Sequence, residues 1–141
     1  FAAQDVHRII FTTSRAPKAR VQRFSHLAEV IVLPGSDIDP KRVMTELRKR
    51  GFKRVLLEGG GEVHFSFAKA GLVGDLFVTV TPRLIGGKEA PSLLDGEGFL
   101  WNDHIRLKLV SSRRVGEEIF LHYRVPRARR RPARTARGRR P

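Results

Sequence analysis

Three consecutive glycines, Gly59, Gly60 and Gly61, stand between a strand pattern and a helix pattern, and this junction limits the possible fold more than any other feature. The segment is KRVLLEGGGEVHFSFAKAGL, residues 53–72. Residues 53–57 have the composition of a buried strand. A helix is expected from about Glu62 to Ala70, with Val63, Phe65, Phe67 and Ala68 apolar and Gly71 as its stop. Glycine lets the backbone take positive φ and lets a ligand come close to the main chain. The start of the following helix adds N–H groups and the positive end of a dipole. Together they suit a phosphate or pyrophosphate. The same residues also suit a tight turn that packs helix on strand. Neither of the common phosphate fingerprints is present, since no Lys-Ser/Thr pair and no GxGxxG follows.

The flanking patterns set the fold class. Residues 8–13 (RIIFTT) and 28–33 (AEVIVL) are expected strands, separated by a basic, polar stretch with Pro17. Asp39-Pro40 is expected to open a helix, with Asp as N-cap and Pro at the first helical position. Val43, Met44 and Leu47 form its apolar face, and Gly51 ends it. Residues 75–81 (DLFVTVT) are a further strand, and the Gly- and Pro-rich stretch 83–99 an ordered loop. Residues 105–111 and 118–124, with Gly116 between them, are expected to form a terminal antiparallel hairpin. Alternating strands and helices imply an α/β fold with a mostly parallel sheet, flanking helices and the C-terminal hairpin.

The chain has 141 residues, which suits one domain with a core of its own. Cys is absent, so disulfide scaffolds and thiol nucleophiles are excluded, and no metal-ligand spacing is present. No apolar run approaches the roughly 18 residues of a membrane span. No signal peptide opens the chain, and a cytoplasmic setting is expected. The formal charge is +14, but nine Arg and no acid lie in residues 124–141, RVPRARRRPARTARGRRP, which leaves +5 on residues 1–123. With no large apolar residue after Val125, the Arg-rich tail 124–141 is expected to be disordered. It is either a polyanion-binding arm or a merely solubilising extension. The chain begins with Phe1, and its one Met is Met44, so the sequence is expected to be a fragment lacking an upstream part.

Few side chains offer chemistry. Glu58 ends an expected strand, and ligands of open α/β sheets bind outside strand C-termini. A carboxylate there can accept hydrogen bonds from substrate amino or hydroxyl groups, or simply stand in solvent. His64 lies on the helix after the glycines, where an ordinary helix position is the competing reading. His7, His26, His104 and His122 have no HExxH-type spacing, and no GxSxG elbow is present. Arg83 and Lys88 flank Gly86-Gly87 and are either phosphate contacts or solvated loop residues. Trp101 is expected to anchor the core or a loop.

VLLEGGG, then AGLVGDLFVTVTPRLIGG, then APSLLDGEGF, in that order, resembles the riboflavin-biosynthesis reductase domain of RibD C-terminal type, a dihydrofolate-reductase-like fold. The resemblance covers roughly Arg8 to Tyr123. It implies an NADPH-dependent reductase, in which hydride passes to the ribosyl group of a phosphorylated (di)amino-ribosylaminopyrimidine and gives ribityl. By the family pattern Glu58 contacts substrate. Gly60, Gly61, Glu62, Val63, His64, Phe65 and Ser66 line the cofactor, and so does the hydroxyl residue Thr13, or else Ser14. The resemblance assigns no catalytic side chain. It also implies a homodimer. Family members often carry Asp-Glu after GLV, where this chain has Gly74-Asp75, and Asp75 is read as a structural acid.

Residues 1–123 are therefore expected to be a partial reductase domain lacking its start, and the chain alone to have little turnover. The alternatives are a dihydrofolate-reductase-like oxidoreductase acting on another substrate, a basic nucleic-acid-binding protein led by its Arg tail, and a degenerate homologue that only dimerises.

Overall fold

The structure, a computed structural model, describes residues 6–126. The chain divides into two compact units, Phe1–Gly59 with Ser66–Leu72, and Gly60–Phe65 with Val73–Pro141.

The first unit is built on β1 (Ile9–Thr13) and β2 (Glu29–Leu33). Both are β-branched runs, and they pair in parallel from Ile9 opposite Glu29 to Thr13 opposite Leu33. A parallel pair needs a crossover. That crossover is α1 (Lys18–Ser25), in the basic, polar stretch with Pro17 for which no element was expected. Pro17 supplies the start, its carbonyl accepting from Arg20 and Val21 N–H at 2.9 and 3.1 Å. The helix has no side-chain cap and no acid in its first turn. Its apolar stripe is only Val21 and Phe24, both half-buried, so the local signal was weak.

α2 (Pro40–Lys49) forms as its sequence dictates. Asp39 Oδ1 accepts from Lys41 N–H at 2.9 Å, and Pro40 sits at the first helical position. Gly51 ends it at φ +85, with Gly51 N–H bonded to Arg48 O and Phe52 N–H to Leu47 O. These two bonds form a Schellman cap, which requires a left-handed residue at that point. Leu33 and Val43 are buried, as is Ala68 from the second half of α3 (Gly61–Lys69). Arg50 reaches both Glu29 at the start of β2 and Glu46 on α2. Its hydrogen bond holds the Glu29 carboxyl below the usual carboxylate range, while Lys49 and then Arg50 do the same for Glu46. All three groups are solvated, so the network adds little stability.

Residues 53–57, an expected strand, carry no regular secondary structure. The run is apolar, but a strand exists through its ladder, and none pairs with it among the described residues. Val55 and Leu56 are exposed.

The second unit carries an antiparallel sheet of β3 (Asp75–Val80), β4 (Lys108–Val115) and β5 (Glu118–Arg124), in the order β3-β5-β4. Among the described residues the expected parallel pairing is met by β1 and β2 and the expected terminal hairpin by β4 and β5, while the sheet of β3, β4 and β5 is antiparallel, not parallel. The alternation of β3 puts Leu76, Val78 and Val80 opposite Tyr123, Leu121 and Ile119 on one face. Such one-sided patterning fits an antiparallel sheet. The long connection after β3 hid which strand would pair with it. β4 begins three residues later than expected and ends at Val115, with a bulge between Leu109 and Ser111. The hairpin closes through Gly116 at φ +58, the first of two loop residues, where a type II′ turn places glycine.

Asp75 fastens the open end of this sheet. Its Oδ1 accepts from His122 Nε2 at 2.7 Å and from Arg124 Nε at 3.0 Å. Val125 N–H then donates to Gly74 O at 2.9 Å, so the first two residues of the expected disordered tail, Arg124 in β5 and Val125 after it, are instead ordered. The rest of the expected disordered tail, from residue 127, lies outside the described residues. The His122 hydrogen bond, and then that of Arg124, holds the Asp75 carboxyl below its usual range. The folded state thus binds this proton less readily than the unfolded chain. Its stabilising effect is complete above the ordinary carboxylate range and is lost as pH falls through the lowered folded value. Stability measured by urea unfolding is expected to fall on acidification through that window. Asp75→Asn should lower stability near neutral pH and flatten that dependence.

Candidate functional site

In the first unit, the C-terminal ends of β1 and β2 meet at the Thr13–Leu33 pair. There Thr13 is half-buried, and its Oγ1 accepts from Arg15 N–H at 3.4 Å. Ser14 Oγ donates to Gly35 O at 3.2 Å, and Gly35 takes φ +108, a conformation other residues rarely adopt. Thr13 therefore stands at the carboxyl edge of parallel strands, the edge where α/β folds hold ligands. Glu58 is exposed at the end of the irregular stretch, two residues before Gly60.

In the second unit, the glycine turn and the first half of α3 form one structure with the loop before Trp101. The three glycines do not serve the same purpose. A side chain at Gly60 would meet nothing within 4 Å. A side chain at Gly61 would meet Asp95 Oδ2 at 2.2 Å and Asp95 Cγ at 2.4 Å. Neither glycine takes a positive φ, so left-handed backbone is needed at neither, and only Gly61 needs the absence of a Cβ. Gly60 faces open space at the start of the helix, whereas Gly61 makes room for Asp95. Asp95 is seated by Ser92, whose N–H donates to Asp95 Oδ1 at 3.1 Å and whose hydroxyl donates to the same oxygen.

The remaining expected cofactor residues follow along α3. Glu62 is exposed in its first turn, and Val63 is exposed beside it. His64 is half-buried, and its Nδ1–H donates to Leu93 O at 3.2 Å. A carbonyl only accepts, so the bond places a proton on Nδ1. Phe65 is buried at 8% exposure, its ring 5.1 Å from that of Phe99. An added Cβ at Gly96, which takes φ +93, would lie 3.3 Å from the Phe65 ring. The Phe65 side chain thus packs against the loop. Ser66 is half-buried and is grouped with the first unit.

Sequence reasoning met Ser92, Asp95, Gly96 and Phe99 only within the segment APSLLDGEGF and assigned none of them a role. The available signal was the Ser-x-x-Asp spacing followed at once by Gly, a turn-forming pattern. Arg83 and Lys88 are exposed, as solvated loop residues are. Trp101 is corrected from an anchor to a surface residue. It is 86% exposed in a 3₁₀ turn, its ring 5.3 Å from that of His104.

Chemically, the turn presents a helix start, an open glycine and no bulky side chain at Gly60. That suits the backbone of the chain to an anionic ligand. A phosphate-bearing cofactor fits the residues present.

The RibD C-terminal domain family matches residues 1–121, and the chain belongs to that family. It is 35% identical over 118 residues to the 2,5-diamino-6-ribosylamino-4(3H)-pyrimidinone 5′-phosphate reductase of Methanothermobacter thermautotrophicus, covering 83% of this chain and 55% of that protein. The Aquifex aeolicus protein of the same name is 34% identical over 119 residues, covering 83% of this chain and 53% of the relative. The chain thus spans about half the length of these curated relatives. Among solved structures, the pyrimidine reductase-like protein of Corynebacterium diphtheriae matches with a TM-score of 0.71 at 28% identity, over 84% of this chain and 50% of that one. Acinetobacter baumannii RibD matches in fold with a TM-score of 0.61 at 19% identity, over 89% of this chain and 41% of that one.

Proposed function

We propose that the chain belongs to an NADPH-dependent reductase of riboflavin biosynthesis that converts the ribosyl group of a phosphorylated (di)amino-ribosylaminopyrimidine to ribityl. The observation that carries the reading is the open Gly60 at the start of α3. Family membership and the relatives named as pyrimidinone phosphate reductases support it. A bound reduced nicotinamide supplies the hydride. The chain's own part is to bind and orient. The turn from Gly60 to Val63 receives a cofactor phosphate on backbone N–H groups. Thr13 offers a hydroxyl at a strand end. Glu58 accepts hydrogen bonds from the substrate. The working form is a cytoplasmic homodimer, and the Arg-rich tail is accessory.

Titration with NADPH, followed by nicotinamide fluorescence, is expected to show saturable binding, with NADH as the comparison ligand. A flat titration in the properly folded chain contradicts the reading. Deleting residues 127–141 is expected to leave this binding unchanged.

A further inference from the structure

The loop from Ser92 to Phe99 touches three of the first five residues of α3. Asp95 lies against Gly61, Leu93 O accepts from His64 Nδ1–H, and Gly96 and Phe99 pack on Phe65. The loop is itself fixed. Ser92 binds Asp95 Oδ1 through both N–H and hydroxyl, and Gly96 and Gly98 take left-handed φ values of +93 and +70. A loop built only to connect β3 to β4 needs none of these contacts. Their common target is the turn whose other face, at Gly60, is open.

We propose that Ser92–Phe99 is a strap that holds the glycine turn in its ligand-receiving shape, with Asp95 as the positioning residue. This rests on the cofactor reading above. Asp95 does its work through Gly61, not through contact with the cofactor. A turn already held in its bound shape has less conformational freedom to lose on binding, and so binds more tightly. Two features favour holding over repulsion. Asp95 Oδ1 is engaged by two Ser92 donors, and the acceptor role needs the oxygen but not the charge.

The test uses Asp95→Ala, Asp95→Asn and Ser92→Ala in the full 141-residue chain. Asp95→Asn keeps the Oδ1 acceptor. Two readouts are taken, the Kd for NADPH and the amide hydrogen exchange of His64 and Phe65, the first amides of α3 inside the helical ladder. Asp95→Ala is expected to weaken NADPH binding by about tenfold, with Asp95→Asn close to wild type. Exchange at His64 and Phe65 should speed up by about tenfold in Asp95→Ala and less in Ser92→Ala. If Asp95→Ala does not fold, Ser92→Ala alone decides, since it removes only a hydroxyl. Unchanged protection at His64 and Phe65 overturns the strap, whatever the nucleotide does. Tighter NADPH binding in both Asp95 variants also overturns it, because the carboxylate would then act as a repelling charge. A wild-type chain that ignores NADPH overturns the cofactor reading instead, and exchange still decides the strap.

Discussion

Replacing Gly60 with Asp is expected to weaken NADPH binding by on the order of 100-fold while leaving the fold intact. The two halves of this expectation have separate causes. The fold survives because a side chain at Gly60 meets no atom within 4 Å and the residue does not take a positive φ. Asp is also a good N-cap, and a carboxylate at the start of α3 is favourable to the helix dipole. The affinity falls because the new charge stands where the turn would take a phosphate. Juxtaposed like charges cost several kcal/mol, which corresponds to a loss on the order of 100-fold. Circular dichroism should therefore match wild type while the NADPH titration moves. Gly61→Asp is a contrasting case. Its Cβ would collide with Asp95, so that variant should lose stability as well as binding.

The second large effect is at Glu58. Glu58→Gln is expected to reduce affinity for the phosphorylated ribosylaminopyrimidine by about 10- to 100-fold, in line with ~1.5–3 kcal/mol for a hydrogen bond to a charged group. NADPH affinity should stay within about twofold, since Gln keeps the size of the side chain and removes only the charge. Glu58 is exposed and forms part of no helix or strand, so the substitution should not disturb folding. Calorimetric titration with each ligand separates the two effects. Equal losses of both would assign Glu58 a folding role.

The sequence declared some elements openly. Asp39-Pro40 and Gly51 bracket α2 because their chemistry is local, an Asx cap, a fixed φ and a left-handed stop. β1 and β2 are equally clear, as short β-branched runs ended by turn residues. α1 was not legible, since a single i, i+3 apolar pair among basic residues is a faint signal against Pro17 and a net positive stretch. The pairing of β3 with β5, from Val80 opposite Ile119 to Asp75 opposite Arg124, is a tertiary choice that no local pattern records. The same is true in reverse of residues 53–57, where strand composition finds no ladder among the described residues.

The candidate site divides along the same line. The glycine turn was visible as a motif. The distinct roles of Gly60 and Gly61 were not, because they depend on a loop about thirty residues away that brings Asp95 to one of them. Phe65 is itself one of the expected cofactor residues, and the packing of its ring on Phe99 and Gly96 is a tertiary contact that helix position does not record.

A phosphate received by the turn at the start of α3 is read out by an amide-resolved NMR titration of the chain with NADPH. The backbone amides of Gly60, Gly61, Glu62 and Val63 are expected to shift first and most, and Gly60→Asp to abolish those shifts. Saturable NADPH binding that leaves these four amides unmoved would contradict phosphate binding at the turn.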